Sequence, residues 1–304
     1  LYTSPPLRGI LYLVNWDSPQ ITHLLRAALA EDLGTPPRDV TAEATVAAAA
    51  RAGARILARQ DLVLAGMPLV TRLFASVDPE LQCTPHASDG TLLRSGDAVL
   101  RLQGNARAIL AAERTALNFL ARLSGIATLT RRFVEAIAGT RARIRDTRKT
   151  TPLHRELEKY AVRTGGGSNH RFGLYDAILI KENHIAQAGG AAAALQAAHG
   201  HATPGGPPLA IQIEVCSEAD LRAVLAAGAE SVLLDNQSPA DAARMVALVR
   251  AQSPHCVVEL SGGITLANVR AFAETGADFL AIGALTHSAP AADLSLLFDM
   301  PERS

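Results

Sequence analysis

Apolar residues at Ile21, Leu24, Leu25, Ala28 and Leu29 recur at helical spacing behind Ser18-Pro19, which predicts a capped amphipathic helix stopped by Gly34 and Pro36-Pro37. From Arg55 to Leu102 the rhythm changes to short apolar runs, Ile56-Leu57, Leu62 to Ala65 and Val99 to Leu102, broken by Gly66, Gly90 and Gly96-Asp97. That punctuation predicts a small sheet. Asn105 to Leu123 reads as a second helix, with Ser124-Gly125 as its expected end. Beyond Gly139, strand-length apolar runs take over: Ala142 to Arg145, Ala177 to Ile180, Ala210 to Val215, Ser231 to Leu234, Cys256 to Leu260 and Phe279 to Ile282. Helical segments separate them, with cap signals at Ser217 and Asp220, at Ser238-Pro239 and Asp241, and at Thr265. Strand and helix alternating at this spacing imply a parallel sheet, open or closed.

Polar chemistry stands at the carboxyl end of every one of these six runs: Asp146 to Lys149, Lys181, Glu214, Asp235, Ser261-Gly262-Gly263 and Gly283. In a barrel all strands point their carboxyl ends at one mouth, so such residues converge. In an open doubly wound sheet they would spread along an edge around one switch point. The pattern favours the barrel.

Composition adds little beyond exclusions. The 304 residues are 48% hydrophobic and 19% charged, with 29 Lys plus Arg against 29 Asp plus Glu, which excludes bulk disorder and a generally cationic nucleic-acid binder. The run from Gly9 to Trp16 is too short for a membrane span and lacks a signal-peptide cleavage pattern. Cys83, Cys216 and Cys256 are odd in number and widely spaced, arguing for reduced thiols and a cytoplasmic location.

Cationic character is therefore local. Arg148 and Lys149 follow one strand, Lys181 closes the next, and His170-Arg171 ends the loop that begins Gly165-Gly166-Gly167-Ser168-Asn169. The guanidinium fork suits bidentate carboxylate or phosphate binding and lysine acts as a point charge, so the mixture suggests substrates carrying both groups. A triple glycine exceeds what a helix cap needs and suggests close backbone approach to a ligand. Ser261, Gly262 and Gly263, with Gly283 and His287, occupy the late loops where such barrels hold phosphate, although a tight turn alone would explain the glycines. Glu214 and Asp235 end neighbouring strands, where they could hold a hard divalent cation or accept hydrogen bonds from sugar hydroxyls. No Cys-His pair, nucleophile elbow or dinucleotide fingerprint is present.

Six motifs in order, Asp146-Thr-Arg-Lys-Thr-Thr-Pro152, Glu158-Lys-Tyr-Ala-Val162, Gly165-Gly-Gly-Ser-Asn-His-Arg171, Leu179-Ile-Lys-Glu-Asn-His184, Leu234-Asp-Asn236 and Ser261-Gly-Gly-Ile264, resemble the quinolinate phosphoribosyltransferases. Glu31-Asp32 with Asp39-Val-Thr41, Glu113-Arg-Thr-Ala-Leu-Asn118 and Asp293-Leu-Ser-Leu296 extend the resemblance over nearly the whole chain. It implies an N-terminal α/β sandwich domain, residues 1–125 joined by 289–304, and an incomplete, about seven-stranded βα-barrel over 126–288. By position, Arg148, His170 and Arg171 would bind quinolinate, joined by Arg114 from a second subunit of a homodimer or higher oligomer. Lys149 and Lys181 would act in catalysis and face the phosphates of phosphoribosyl pyrophosphate. Glu214 and Asp235 would serve Mg2+ and the ribose hydroxyls, with Ser261, Gly262, Gly263, Gly283 and His287 around the phosphate.

The chain departs from the family pattern at three places. It reads Thr151-Pro-Leu-His-Arg155 where the family usually has Thr-Pro-Gly-Leu-Arg, Glu182 where Asp is frequent, and Gln212 where Glu is common, the last removing a carboxylate expected near the metal. The implied reaction needs no organic cofactor, nucleic acid or membrane. Two alternatives stay open: a related enzyme acting on a pyridine monocarboxylate, and a non-catalytic barrel that binds phosphate ligands.

Overall fold

The computed structural model describes residues 14–201 and 209–299. Most of the Gly9 to Trp16 run, and the outermost residues of the expected N-terminal domain, lie outside that range. The described residues fall into two units, one of 14–131, 151–166 and 289–299, the other of 132–150 and 167–288 without the undescribed stretch.

The first unit opens with α1 (Pro19–Leu33), whose cap Ser18 accepts the Ile21 N–H and which ends at Gly34 in a positive-φ conformation. Asp39 caps α2 (Val40–Thr45) in the same way. Next come β1 (Arg51–Ala58), β2 (Leu62–Val63), α3 (Met67–Val77), β3 (Gln82–Pro85), β4 (Leu92–Leu93) and β5 (Ala98–Asn105), then the long helix α4 (Ala106–Ala136). Strands β1, β3 and β5 pair antiparallel, and β2 pairs with β4.

The expected stop at Ser124-Gly125 is corrected by the structure, in which α4 runs through both residues. Ser124 is fully buried, and its hydroxyl exchanges hydrogen bonds with the backbone of Ala65. A Cβ at Gly125 would meet the Pro290 carbonyl oxygen at 2.0 Å. The pair is there for close packing, and tertiary contacts override its local preference for a helix end.

The second unit is the barrel. Its strands are β6 (Arg143–Arg145), β7 (Ile178–Ile180), β8 (Ile211–Val215), β9 (Ser231–Asp235), β10 (Val257–Ser261) and β11 (Phe279–Ala281). Helix α5 (Arg155–Thr164), between β6 and β7, groups with the first unit. After β7 come α6 (Glu182–Ala188), α7 (Ala191–His199), α8 (Glu218–Ala226), α9 (Pro239–Gln252), α10 (Val269–Ala273) and α11 (Ala284–His287). Finally β12 (Leu294–Phe298) pairs with β1 in the first unit's sheet.

All five strand pairings in the barrel are parallel, in the order β6-β11-β10-β9-β8-β7. The first strand in sequence thus lies beside the last, the cyclic order of a rolled sheet. Beyond β6, Ser168 makes a single parallel bridge to Arg145, donating to Ile144 O at 2.8 Å and accepting from Asp146 N at 3.1 Å. This one bridge stands where a seventh strand would be.

Ile213, Val232, Leu234, Val258, Leu260 and Leu280 are buried and alternate with residues that face the barrel interior. Such strands, covered by helices outside and filled inside, read as apolar runs even where alternate positions are polar. Ser217 and Ser238 cap α8 and α9 as expected. Thr265 does not cap α10: Asn268 Oδ1 accepts the Thr265 N–H and its amide donates to Gly263 O, building a turn that delays the helix to Val269.

Candidate active site

The carboxyl ends of the barrel strands surround a cavity of about 560 Å³. Arg148, Lys149, His170, Arg171, Lys181, Glu214, Asp235, Ser261, Gly262, Gly263, Gly283 and His287 all line it. Arg114 stands exposed on α4 of the first unit. The glycine run 165–167 is not part of the lining. Its close-approach reading is corrected: a Cβ at Gly165 would meet Ala127 O at 2.4 Å, and Gly166 takes a positive φ as the chain leaves α5, so these glycines serve packing and the helix end.

Strand register explains the convergence. Glu214, Leu233 and Glu259 are adjacent in register across β8, β9 and β10, and Asp235 and Ser261 stand two residues further along on the same face. The period of two thus places carboxylates and Ser261 at the mouth from three strands.

Four cations face this space. Arg171 is buried, donates from Nη1 to Ala177 O at 3.0 Å, and keeps its Nε buried without a hydrogen-bond partner, as does Arg148. Burial, and then the neighbouring Arg148 charge, lower the Arg171 pKa from its ordinary value. Two neighbouring guanidiniums lining one cavity repel each other, a cost that a bound anion would offset.

Lys149 is exposed at the rim, and its carbonyl accepts the buried Thr286 hydroxyl at 2.8 Å. A Cβ at Gly283 would come within 3.0 Å of Lys149 Cδ and 3.1 Å of His287 Nε2, so glycine lets both side chains share that corner. Lys181 reaches Glu214 at 3.3 Å, and its N–H donates to His184 Nδ1 in the first turn of α6. Asp235 accepts a hydrogen bond from Asn236 Nδ2 at 2.6 Å.

Among the described residues no group of three or more His, Cys, Asp or Glu could cage a metal. Two hard carboxylates at one mouth fit a magnesium ion whose remaining ligands are water and substrate oxygens. A thiolate nucleophile is not offered: burial and then Glu214 and Asp235 raise the Cys216 pKa, and burial pushes Cys256 up to about 12.

Below the mouth lies a polar layer that composition hides. Arg145, 1% exposed, pairs with Glu259, 0% exposed, at 2.6 Å, and its guanidinium sits 3.3 Å from the Phe279 ring centroid. Burial pushes the Glu259 carboxyl up, but the groups around it, with the Arg145 charge and hydrogen bonds from Arg145 and Gln212 among them, prevail and hold it below the usual carboxylate range. Gln212 is fully buried here, 3.0 Å from His170 Nε2, and does not line the cavity. Its departure from the common Glu therefore falls beside His170. Glu259 lines the cavity and was absent from the sequence-derived candidates. Its position two residues before Ser261 was the available signal.

A rolled parallel sheet with cations, carboxylates and glycines at its mouth defines a barrel enzyme that handles anions. Comparison with known proteins gives the family. The family model described as quinolinate phosphoribosyl transferase, C-terminal domain, matches residues 126–297, and the N-terminal domain model matches 39–124. The chain is 42% identical over 274 residues to nicotinate-nucleotide pyrophosphorylase [carboxylating] of Mycobacterium leprae, covering 90% of this chain and 95% of that protein. It is 40% identical over 277 residues to the probable enzyme of the same name from Bacillus subtilis, covering 91% and 93%. Among solved structures, nicotinate-nucleotide pyrophosphorylase from Francisella tularensis matches with a TM-score of 0.86 and 38% identity, covering 93% of this chain and 98% of that one. The chain belongs to the quinolinate phosphoribosyl transferase family.

Proposed function

We propose that this chain transfers the phosphoribosyl group of phosphoribosyl pyrophosphate to quinolinate with loss of carbon dioxide, forming nicotinate mononucleotide and pyrophosphate for NAD biosynthesis. The observation that carries this reading is the pair of guanidiniums, half-buried Arg148 and buried Arg171, lining one cavity with Lys149 and Lys181. A pyridine dicarboxylate matches the two guanidiniums, and the lysines meet the phosphates. Ser261, Gly262, Gly263, Gly283 and His287 form the phosphate corner.

In the reaction the pyridine nitrogen forms a bond to the anomeric carbon as the carbon–oxygen bond to pyrophosphate breaks. Catalysis rests on placement and on charge at the leaving group. Glu214 and Asp235 would hold Mg2+, which supplies charge neutralisation at the pyrophosphate when bound. The ribosylated ring nitrogen is cationic and stabilises the carbanion left when the adjacent carboxylate departs as carbon dioxide. A proton then takes its place, so the substrate itself provides the electron sink and no organic cofactor is required.

Quinolinate should release carbon dioxide and pyrophosphate in equal amounts, whereas faster pyrophosphate formation with nicotinate would overturn the substrate assignment. Arg114 would complete the dicarboxylate site from a second copy of the chain, in a homodimer or larger assembly placed in the cytoplasm. Mixing inactive Arg114→Ala and Lys149→Ala proteins should restore part of the activity. No recovery despite demonstrated subunit exchange refutes the shared site.

A further inference from the structure

The reading of Arg171 as a carboxylate ligand raises the question of what aims it. Its backbone N–H donates to Nδ1 of the preceding His170 ring at 2.7 Å. Nδ1 is therefore an acceptor, and the ring proton sits on Nε2. Nε2 in turn faces two oxygens inside the barrel, Gln212 Oε1 at 3.0 Å and Glu259 Oε1 at 3.4 Å. The other tautomer would set two N–H groups against each other at Arg171 and turn a lone pair toward the carboxylate. Glu259 disfavours it electrostatically, in a fully buried setting where such preferences are strong.

Glu259 is itself fixed, because its second oxygen accepts from Arg145 Nη1 at 2.6 Å. Its Oε1 is the oxygen turned to His170, and the Gln212 side chain also hydrogen-bonds this carboxylate. A continuous run thus leads from Arg145 through Glu259 and the His170 ring to the backbone of Arg171, all within the barrel unit. Both ring nitrogens of His170 are engaged within the protein, so the imidazole acts on the anion by orienting its neighbour.

We propose that Glu259 is a positioning residue for dicarboxylate capture: it selects the Nε2–H tautomer of His170 and so fixes the backbone from which Arg171 reaches the cavity. This deepens the proposed function and rests on it for the identity of the anion. The tautomer assignment stands independently of that identity.

Two measurements on the full-length protein test it. Nitrogen-15 NMR of labelled histidine should show His170 as the Nε2–H tautomer, and an Nδ1–H tautomer overturns the proposal. In Glu259→Gln, the KM for quinolinate should rise on the order of tenfold, the size of one lost oriented hydrogen bond, with kcat and the KM for phosphoribosyl pyrophosphate little changed. Loss of the Arg145 partner lowers stability under either role, so an unchanged KM for quinolinate would show a purely structural role and overturn the proposal. Should Glu259→Gln fail to fold, Glu259→Asp is read the same way, since its shortened carboxylate withdraws from Nε2. Absence of any quinolinate turnover in the unaltered protein would sink the functional reading, and the NMR result would still decide the Glu259–His170 relation.

Discussion

The barrel carries charge at two depths and treats it in opposite ways. One layer down, Arg145 and Glu259 are shut away from solvent and matched to each other at 2.6 Å. At the mouth, Arg148 and Arg171 line the cavity and pair with no carboxylate among the described residues. A buried charge closed by an ion pair is part of the frame, whereas a cation that opens on a cavity is available to an anion that arrives later. Arg145 and Glu259 stand within β6 and β10, whereas Arg148 lies past the end of β6 and Arg171 in the segment that follows the Ser168 bridge, so the end of the strand separates structure from recognition.

The sharpest way to break this contrast is to damage the deep layer. Arg145→Met leaves Glu259 buried without its main partner and should cost about 3–5 kcal/mol of stability, read by urea unfolding. A loss under about 1 kcal/mol would mean the pair is not part of the frame. The mouth should respond in the opposite sense. Lys149→Ala is expected to lower turnover roughly 10²–10³-fold, as when a group that stabilises developing charge is removed, while stability changes by less than about 0.5 kcal/mol. Near-normal turnover would take Lys149 out of the mechanism.

The smallest effect concerns the loop after Lys149. Leu153 has φ of 66° and is 89% exposed, so a branched side chain sits in a left-handed conformation without burial to offset it. Leu153→Gly should stabilise by about 1 kcal/mol, seen as a raised unfolding midpoint. Unchanged or lower stability would show that the loop takes another conformation. This is also the position at which the family pattern has glycine, so the structure explains what that residue does there.

Much of the barrel was legible because its strands are bounded apolar runs with chemistry at one end. Each of the six predicted runs lies within a residue or so of an observed strand, and the cyclic strand order agrees with the single mouth implied by those ends. The seventh position was not legible, since Ser168 bridges from a stretch of glycine, serine and asparagine with no apolar pattern to reveal it. Ser124-Gly125 misled because local preference yields to packing against Ala65 and Pro290. Glu259 was hidden inside a run read only for its apolarity, although counting back two residues from Ser261 places it on the inner face.

The single bridge at Ser168 has a consequence for how such a molecule can change over time. The segment carrying His170 and Arg171 meets the sheet through one backbone bridge and is otherwise held by side chains, with Asn169 and His170 donating to Asp146, while the six strands hold one another in register through continuous ladders. Substitutions or small length changes in that segment leave the ladders intact. On the proposed function, selectivity for the acid would then sit on a wall of the barrel outside the strand ladders, where new substrate preferences can be tried without rebuilding those ladders.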